Sequence, residues 1–310
     1  VGVATELNIT RLERIPTWFG VGGGASRYVE PASIDELRAC LELDPDLCIL
    51  GDGANLLVAD EGVDRLVVSL KHMAWASWSA PGDGAATVSV GAGQDLAKLI
   101  NESVRRGLAG IEVLGGIPAT VGGAIMMNAG GKFGAIADAV LRVHTITRDA
   151  SEQTLDRNAI AFNYRTSGLQ GRIITGVDLS LTPADPALLR TRLKEIMQYK
   201  KDSQPLKDSS AGCCFKNPTL TRDIDTVGKK GERVSAGMVI DRAGLKGLRI
   251  RSASVSELHA NFLTADKGGR ANDVITLIQS VRDRVRERFD IELETEVVIW
   301  GAEGPVGGHQ

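Results

Sequence analysis

The sequence predicts an α+β protein, and three observations carry that prediction. Runs with strand alternation and runs with helical spacing interleave along the chain. Its 310 residues, at roughly 150 per domain, indicate about two domains. Apolar residues make up 43% and charged residues 24%, the composition of a packed soluble protein rather than a disordered or fibrous one.

Taken in order, residues 26–31 read as a short strand. Ile34, Leu37 and Leu41 then recur at spacings of three and four behind Ser33, a good N-cap. Residues 48–50, 56–58 and 65–70 add strands, so the first 70 residues form a small αβ unit. A strand at 86–90 leads through Gly91 and Gly93 into a helix with Leu96, Leu99, Ile100 and Val104 on one stripe, closed by Arg105, Arg106 and Gly107. Eight glycines crowd residues 108–134. Strands at 141–147 and 172–181 precede a helix at 188–199, and the polar run 200–205 marks a boundary. Beyond it come the loop 209–218, a short helix at 236–242, a strand at 261–264 and a long helix. Val274, Leu277, Ile278, Val281, Val285 and Phe289 form its apolar stripe. A last strand at 292–300 precedes a glycine-rich tail expected to fray. The predicted division is 1–70, 71–204, 205–301 and the tail 302–310.

Lys and Arg total 36 against 39 Asp and Glu, a net charge of −3 that offers no field for nucleic acid or an anionic membrane. No apolar run is long enough to span a bilayer, and residues 1–16 lack the apolar segment of a signal peptide, so a cytoplasmic protein is expected. Cys40, Cys48, Cys213 and Cys214 include no Cys-x-x-Cys, and with four His they predict reduced thiols and no metal site.

Two strings imitate a Rossmann fingerprint. A strand pattern follows the glycines at 20–24 where a helix is needed, and Leu96 stands where the Gly91 string needs a small residue, so both are discounted. Gly51, Asp52, Gly53, Ala54, Asn55 and Leu56 are a better phosphate site, because glycines beside Asn55 let successive N–H groups converge; an ordinary turn is the competing reading. Pro118 stiffens the segment from Ile117 to Asn128, Gly122 and Gly123 permit close approach, and the apolar residues 125–127 can lie against a flat ring.

TWFGVGGGA at 17–25, GDGANLLV at 51–58, GIEVLGGIPATVGGA at 110–124, NAG at 128–130, Tyr164-Arg165, GCCFKNP at 212–218, SELHANF at 256–262 and LETEV at 293–297 occur in this order. In these motifs the chain resembles the UDP-N-acetylenolpyruvoylglucosamine reductase family, in its shorter subtype. The resemblance implies an FAD-binding fold of the vanillyl-alcohol-oxidase type in two αβ subdomains, with an α/β substrate-binding domain closing over a sugar nucleotide. It implies NADPH as reductant, noncovalent FAD as hydride carrier, and UDP-N-acetylglucosamine enolpyruvate as substrate, reduced to UDP-N-acetylmuramate for peptidoglycan. A monomer is expected.

Residue by residue, the resemblance assigns FAD to residues 51–56 together with Ile117, Pro118, Thr120, Gly122, Gly123 and Asn128. It assigns the substrate carboxylate to Arg165, polarisation of the intermediate to Glu296, and ligand contacts to Tyr164, Lys216 and Asn217. Alternation alone puts Glu294 and Glu296 on one strand face and leaves the choice open; the family pattern selects Glu296. Cys213 stands where most relatives carry a proton-donating serine. A thiol of ordinary pKa, about 8.5, is mostly protonated at pH 7, so donation is expected to persist, with the thiol open to alkylating reagents. Cys214 is expected to pack, and His259 to play a structural part. Ala54 replaces a usual serine, and residues 131–134 depart from the usual Ala-Tyr-Gly-Gly. The rival readings are an oxidase of the same fold and a flavin-binding relative without turnover.

Overall fold

The computed structural model of the chain describes residues 7–79 and 84–305. The first unit is built on a four-stranded sheet ordered Thr10–Leu12, Ala25–Val29, Val67–Ser69, Cys48–Leu50. Ala25–Val29 and Cys48–Leu50 both run parallel to Val67–Ser69. Parallel strands need a crossover, and helix α1 (Ile34–Leu43) supplies it. Ser33 caps α1, its hydroxyl accepting from the Glu36 N–H at 3.2 Å.

The second sheet is ordered Glu152–Asp156, Val140–Thr147, Arg172–Pro183, Ala86–Gly91, Ala76–Trp78, with every neighbouring pair antiparallel. Its two edge strands are mostly exposed, and three residues in one and a polar EQTLD run in the other leave no apolar alternation to reveal them. Helix α2 (Leu96–Arg105) buries the predicted stripe. The carboxylate of its N-cap, Asp95, accepts from the Lys98 N–H at 2.7 Å and fills the place a Rossmann phosphate would take.

Helix α3 (Val121–Met126) lies inside the glycine-rich stretch 108–134, to which the sequence assigns no helix. Six residues with two glycines give no period to detect. What makes the helix is the Thr120 cap and two outside acceptors: Gln94 O receives the Val121 N–H at 2.8 Å, and Ala92 O receives the Gly122 N–H at 2.9 Å. Helix α4 (Pro186–Ser203) is longer than the expected 188–199. Asp185 caps its start, and the polar run stays helical to Ser203 with Lys201 and Asp202 facing solvent before Pro205 ends the element.

Beyond α4, a three-stranded antiparallel sheet (Arg249–Ile250, Ala253–Val255, Leu263–Ala265) packs with helices α5 (Ala236–Arg242) and α6 (Ala271–Phe289) around a separate core. All six predicted stripe residues of α6 are buried. The expected strand at 292–300 is a correction: regular pairing begins only at Val298–Gly301. Val298, Ile299 and Trp300 run parallel to Leu56, Leu57 and Val58, which returns the end of the region grouped as 205–301 to the first unit. Part of the tail expected to fray is also paired, Gly304–Pro305 against Trp300 and Gly301. Residues 306–310, like the start of the stretch 1–16 read for a leader, lie outside the described residues. No described helix is long and apolar enough to cross a membrane.

Candidate active site

A cavity of about 860 Å³ runs between the two αβ units and the third region, within the usual size of a cofactor or substrate site. One part of its wall is made of residues 51–56 with Ile117, Pro118, Thr120, Gly122 and Gly123; another holds Arg165, Cys213 and Glu296. Residues more than a hundred positions apart thus share one chamber.

The first wall fits a diphosphate. Among the described residues, none of the backbone N–H groups of residues 51–55 donates to a protein acceptor. Backbone donors left over beside a cavity call for an anionic ligand or water. Gly53 has φ +64, and a Cβ there would collide with the Pro16 carbonyl oxygen, so the turn closes only with glycine. Asp52 accepts from Trp18 Nε1 at 3.0 Å; burial pushes its carboxyl above the usual range, against the pull of that bond. Asn55 does more than complete the turn. Its Nδ2 donates to Glu296 O at 3.0 Å and its carbonyl accepts from the Val298 N–H at 3.0 Å, so the cradle is tied to the segment that carries Glu296 and to the start of the strand after it.

Two expectations for the neighbouring segment change. Ile125 is fully buried in the core, leaving Met126 and Met127 as the apolar surface toward the cavity. Asn128 does not line the cavity; with φ +43 it spans two loops, its Nδ2 donating to Asn163 O at 2.9 Å.

Arg165 sits in a tight turn, where Asn163 and Thr166 exchange backbone bonds of 2.9 and 3.3 Å. Its φ is +58, a left-handed conformation that costs a non-glycine residue about 1–3 kcal/mol and is found where a site demands it. The guanidinium is held from two sides. Nε lies 2.7 Å from Glu296 Oε1, and Nη1 donates to Gly130 O at 2.7 Å. The side chains of Arg165 and Glu296 are 21% and 13% exposed, whereas that of Glu294 is 74% exposed, so Glu296 is the carboxylate turned inward. Residues 292–297 are irregular, and Glu296 N donates to Cys214 O at 2.8 Å while Val297 N reaches the same oxygen at 3.3 Å. That doubled contact breaks the strand alternation that would have kept Glu294 and Glu296 equivalent. Burial pushes the Glu296 carboxyl up, against the Arg165 charge; for Arg165 the cost of burial is outweighed by Glu296, and its pKa rises.

The Cys213 thiol is pushed up to about 12 by burial, with the Glu296 carboxylate adding to the rise and Arg165 opposing it. It therefore holds its proton throughout the neutral range. The raised pKa points against the easy alkylation expected of an ordinary thiol, because thiolate is the reactive form. Cys214 is buried in the core of the third region, and the four cysteines are free thiols. His259 Nδ1 accepts from the Asn261 N–H at 3.2 Å and its ring meets Phe262 edge-on, a structural placement; burial holds its pKa below the ordinary value.

Sequence reasoning gave Asn261 no role, although it stands in SELHANF. Its buried side chain clamps the backbone of Phe215, Oδ1 accepting at 2.9 Å and Nδ2 donating to the carbonyl at 2.8 Å, while its own carbonyl accepts from the Cys214 N–H at 2.7 Å. A buried asparagine among apolar neighbours is the signal that was available. Asn261→Leu strands a buried N–H and C=O, at about 1–3 kcal/mol each. The expected result is a fall in denaturant midpoint equivalent to about 2–6 kcal/mol; a change below about 1 kcal/mol, under the least that even one stranded group costs, overturns the clamp.

Tyr164, Lys216 and Asn217 do not line the cavity wall and form an adjoining group. The Tyr164 hydroxyl accepts from the Asn217 N–H at 3.2 Å, Asn217 Oδ1 accepts from the Ala236 N–H at 2.9 Å, and Lys216 Nζ lies 3.4 Å from exposed Glu294. Arg233 stacks 4.5 Å over the Tyr164 ring. The phenol hydrogen and the Asn217 amide hydrogens remain available to a ligand.

A thiol and an arginine–glutamate ion pair sharing one cavity with a wall of free backbone amides define the class of cofactor-dependent enzymes. Comparison with known proteins makes this specific. Residues 25–156 match the family model described as FAD binding domain, and residues 204–300 match UDP-N-acetylenolpyruvoylglucosamine reductase, C-terminal domain. The UDP-N-acetylenolpyruvoylglucosamine reductase of Trichormus variabilis is 35% identical over 307 residues, covering 97% of this chain and 88% of that one. Reductase 2 of Symbiobacterium thermophilum is 40% identical over 287 residues, covering 91% and 88%. The crystal structure of the Thermus caldophilus reductase superposes with a TM-score of 0.79 at 37% identity, covering 95% of this chain and all of that one. The chain belongs to the UDP-N-acetylenolpyruvoylglucosamine reductase family. Its fold is the α+β, FAD-binding fold of that family.

Proposed function

We propose that the protein reduces UDP-N-acetylglucosamine enolpyruvate to UDP-N-acetylmuramate at the expense of NADPH, a cytoplasmic step of peptidoglycan precursor synthesis. The observation that carries this reading is the shared cavity, with unpaired amides on one wall and Arg165, Glu296 and Cys213 on another. Residues 51–56, Ile117, Pro118, Thr120, Gly122 and Gly123 would hold FAD, which when bound carries the hydride from NADPH to the enolpyruvyl double bond.

The work of the protein's own residues follows from the charge that addition creates. Hydride arriving at the terminal carbon pushes electron density toward the substrate carboxylate. The planar fork of Arg165, held by Glu296 and Gly130 O, meets that carboxylate with fixed donors that need no reorganisation. Glu296 fixes the fork and sets the local charge. The Cys213 Sγ holds the proton needed at the neighbouring carbon, and its raised pKa keeps the donor protonated. Lys216, Tyr164 and Asn217 contact the phosphates, with Lys216 leaving exposed Glu294 at little cost.

The protein as purified is expected to carry noncovalent FAD, released by acid. NADPH should bleach the absorption, and the enolpyruvyl sugar nucleotide should restore it under anaerobic conditions. Protein that neither carries FAD nor takes it up on reconstitution overturns the reading. Protein that NADPH bleaches but the sugar nucleotide does not restore keeps the flavin and loses the substrate.

A further inference from the structure

Among the described residues six Lys and Arg side chains line the cavity, and five are engaged. Lys71 pairs with Glu30, and Arg148 donates to the carbonyls of Pro45 and Leu47 at 3.1 and 2.9 Å. Arg172 donates to Gln153 Oε1 at 2.6 Å, Lys132 stacks 4.8 Å over the Tyr199 ring, and Arg165 is paired with Glu296. The sixth is Lys200. Among the described residues, no carboxylate or other acceptor meets its ammonium group.

Lys200 is in place because α4 continues past the expected helix end, putting this residue in its last turn. Its stem crosses Gly116 at the start of the Ile117 segment. A Cβ on Gly116 would stand 3.1 Å from Lys200 Cδ and 2.9 Å from Met197 Sδ, and the glycine has φ +72, so the backbone here is shaped to let α4 approach. Lys200 shares the cavity wall with Arg165 and Glu296, and burial, then the charge of Arg165, push its pKa down to about 8. A half-buried ammonium without a partner is costly unless a ligand completes it.

Charge arithmetic gives the vacancy a purpose. Arg165 and Glu296 together sum to zero and Cys213 is neutral, so the wall proposed to meet a growing negative charge has no excess positive charge of its own. We propose that Lys200 is an anion-binding residue of the reaction chamber, its ammonium group meeting an anionic oxygen of a bound ligand beside the Arg165–Glu296 pair. The oxygen belongs either to the carboxylate of the enolpyruvyl sugar nucleotide or to the flavin in its reduced, anionic form. This inference rests on the reductase reading above.

Lys200→Met keeps the stem and removes the charge, and Lys200→Arg restores the charge. Binding of UDP-N-acetylglucosamine enolpyruvate to the oxidised holoenzyme is followed through the flavin absorption without NADPH, and the two-electron potential of the bound flavin is measured without the sugar nucleotide. Weaker binding of the sugar nucleotide by about tenfold or more in Lys200→Met, recovered in Lys200→Arg, assigns the anion to the substrate. A potential lowered by about 30 mV or more, the two-electron equivalent of tenfold, assigns it to the flavin. If Lys200→Met keeps both within about threefold, well short of the tenfold step that 1.4 kcal/mol represents, the proposal is overturned. Should Lys200→Met fail to hold FAD, Lys200→Gln replaces it in the same two measurements. Wild-type protein whose flavin is not reoxidised by the sugar nucleotide condemns the reductase reading itself, which separates that failure from this one.

Discussion

Glu296→Gln is expected to slow reoxidation of the flavin by the enolpyruvyl sugar nucleotide by about 10²-fold or more, the usual loss when preorganised transition-state electrostatics are removed. Reduction by NADPH should change far less. The substitution is close to isosteric, so the backbone bonds from Glu296 to Asn55 and Cys214 survive. What disappears is the charge 2.7 Å from Arg165 Nε. Two consequences follow from that loss. The guanidinium, 21% exposed and without its partner, is free to turn toward other acceptors, so the fork that meets the substrate carboxylate is no longer fixed. The Cys213 thiol also loses one of the influences that hold its pKa up, the Glu296 carboxylate. Both effects fall on the step that consumes substrate, whereas NADPH has no carboxylate for Arg165 to grip. Stopped-flow measurement of the two half-reactions decides the point. If both slow together while FAD stays bound, Glu296 is a scaffold of the cavity and the roles given to it and Arg165 are wrong.

How much of this chamber could be seen in the sequence depended on whether the deciding interaction was local. Ser33 and α1, and the six-residue stripe of α6, were legible because caps and helical periods are written in neighbouring residues. The cradle at 51–55 was legible for the same reason, since glycines beside an asparagine imply converging amides. α3 was not, because its acceptors are the carbonyls of Ala92 and Gln94, about thirty residues upstream. The inward turn of Glu296 was not either. Strand alternation leaves Glu294 and Glu296 equal, and only the doubled contact with Cys214 O, eighty residues away, separates them. The family motif selected Glu296 without that reason, and the irregular backbone supplies it. Lys200 stood in a polar run that reads as a linker. A charged helix terminus and a charged linker look alike until the surface they face is known.

Cys213→Ala is expected to accept electrons from NADPH and then stall, losing about 10²–10⁴-fold in reoxidation by the sugar nucleotide, the range for a missing general acid. Cys213→Ser should remain active, because it restores the hydroxyl that the family pattern places after Gly212. Cys214→Ala should react nearly as wild type and register in stability instead, since Cys214 is packed in the core and reaches the site only through its backbone carbonyl. The pKa of the thiol sets a further condition. Raised to about 12 by burial and Glu296, the acid form persists as pH climbs, so deprotonation of Cys213 should produce no loss of activity between pH 7 and 9. An ordinary thiol with pKa about 8.5 would lose most of its protons across that interval. A donor with so high a pKa is slow to give up its proton to water, and suits a strongly basic carbon formed beside it. If water protonates that carbon and Cys213 only fills space, Cys213→Ala loses less than about tenfold, below the general-acid range. Stopped-flow reoxidation of that variant, at pH 7 and pH 9, is the measurement that decides between a proton donor and a spacer.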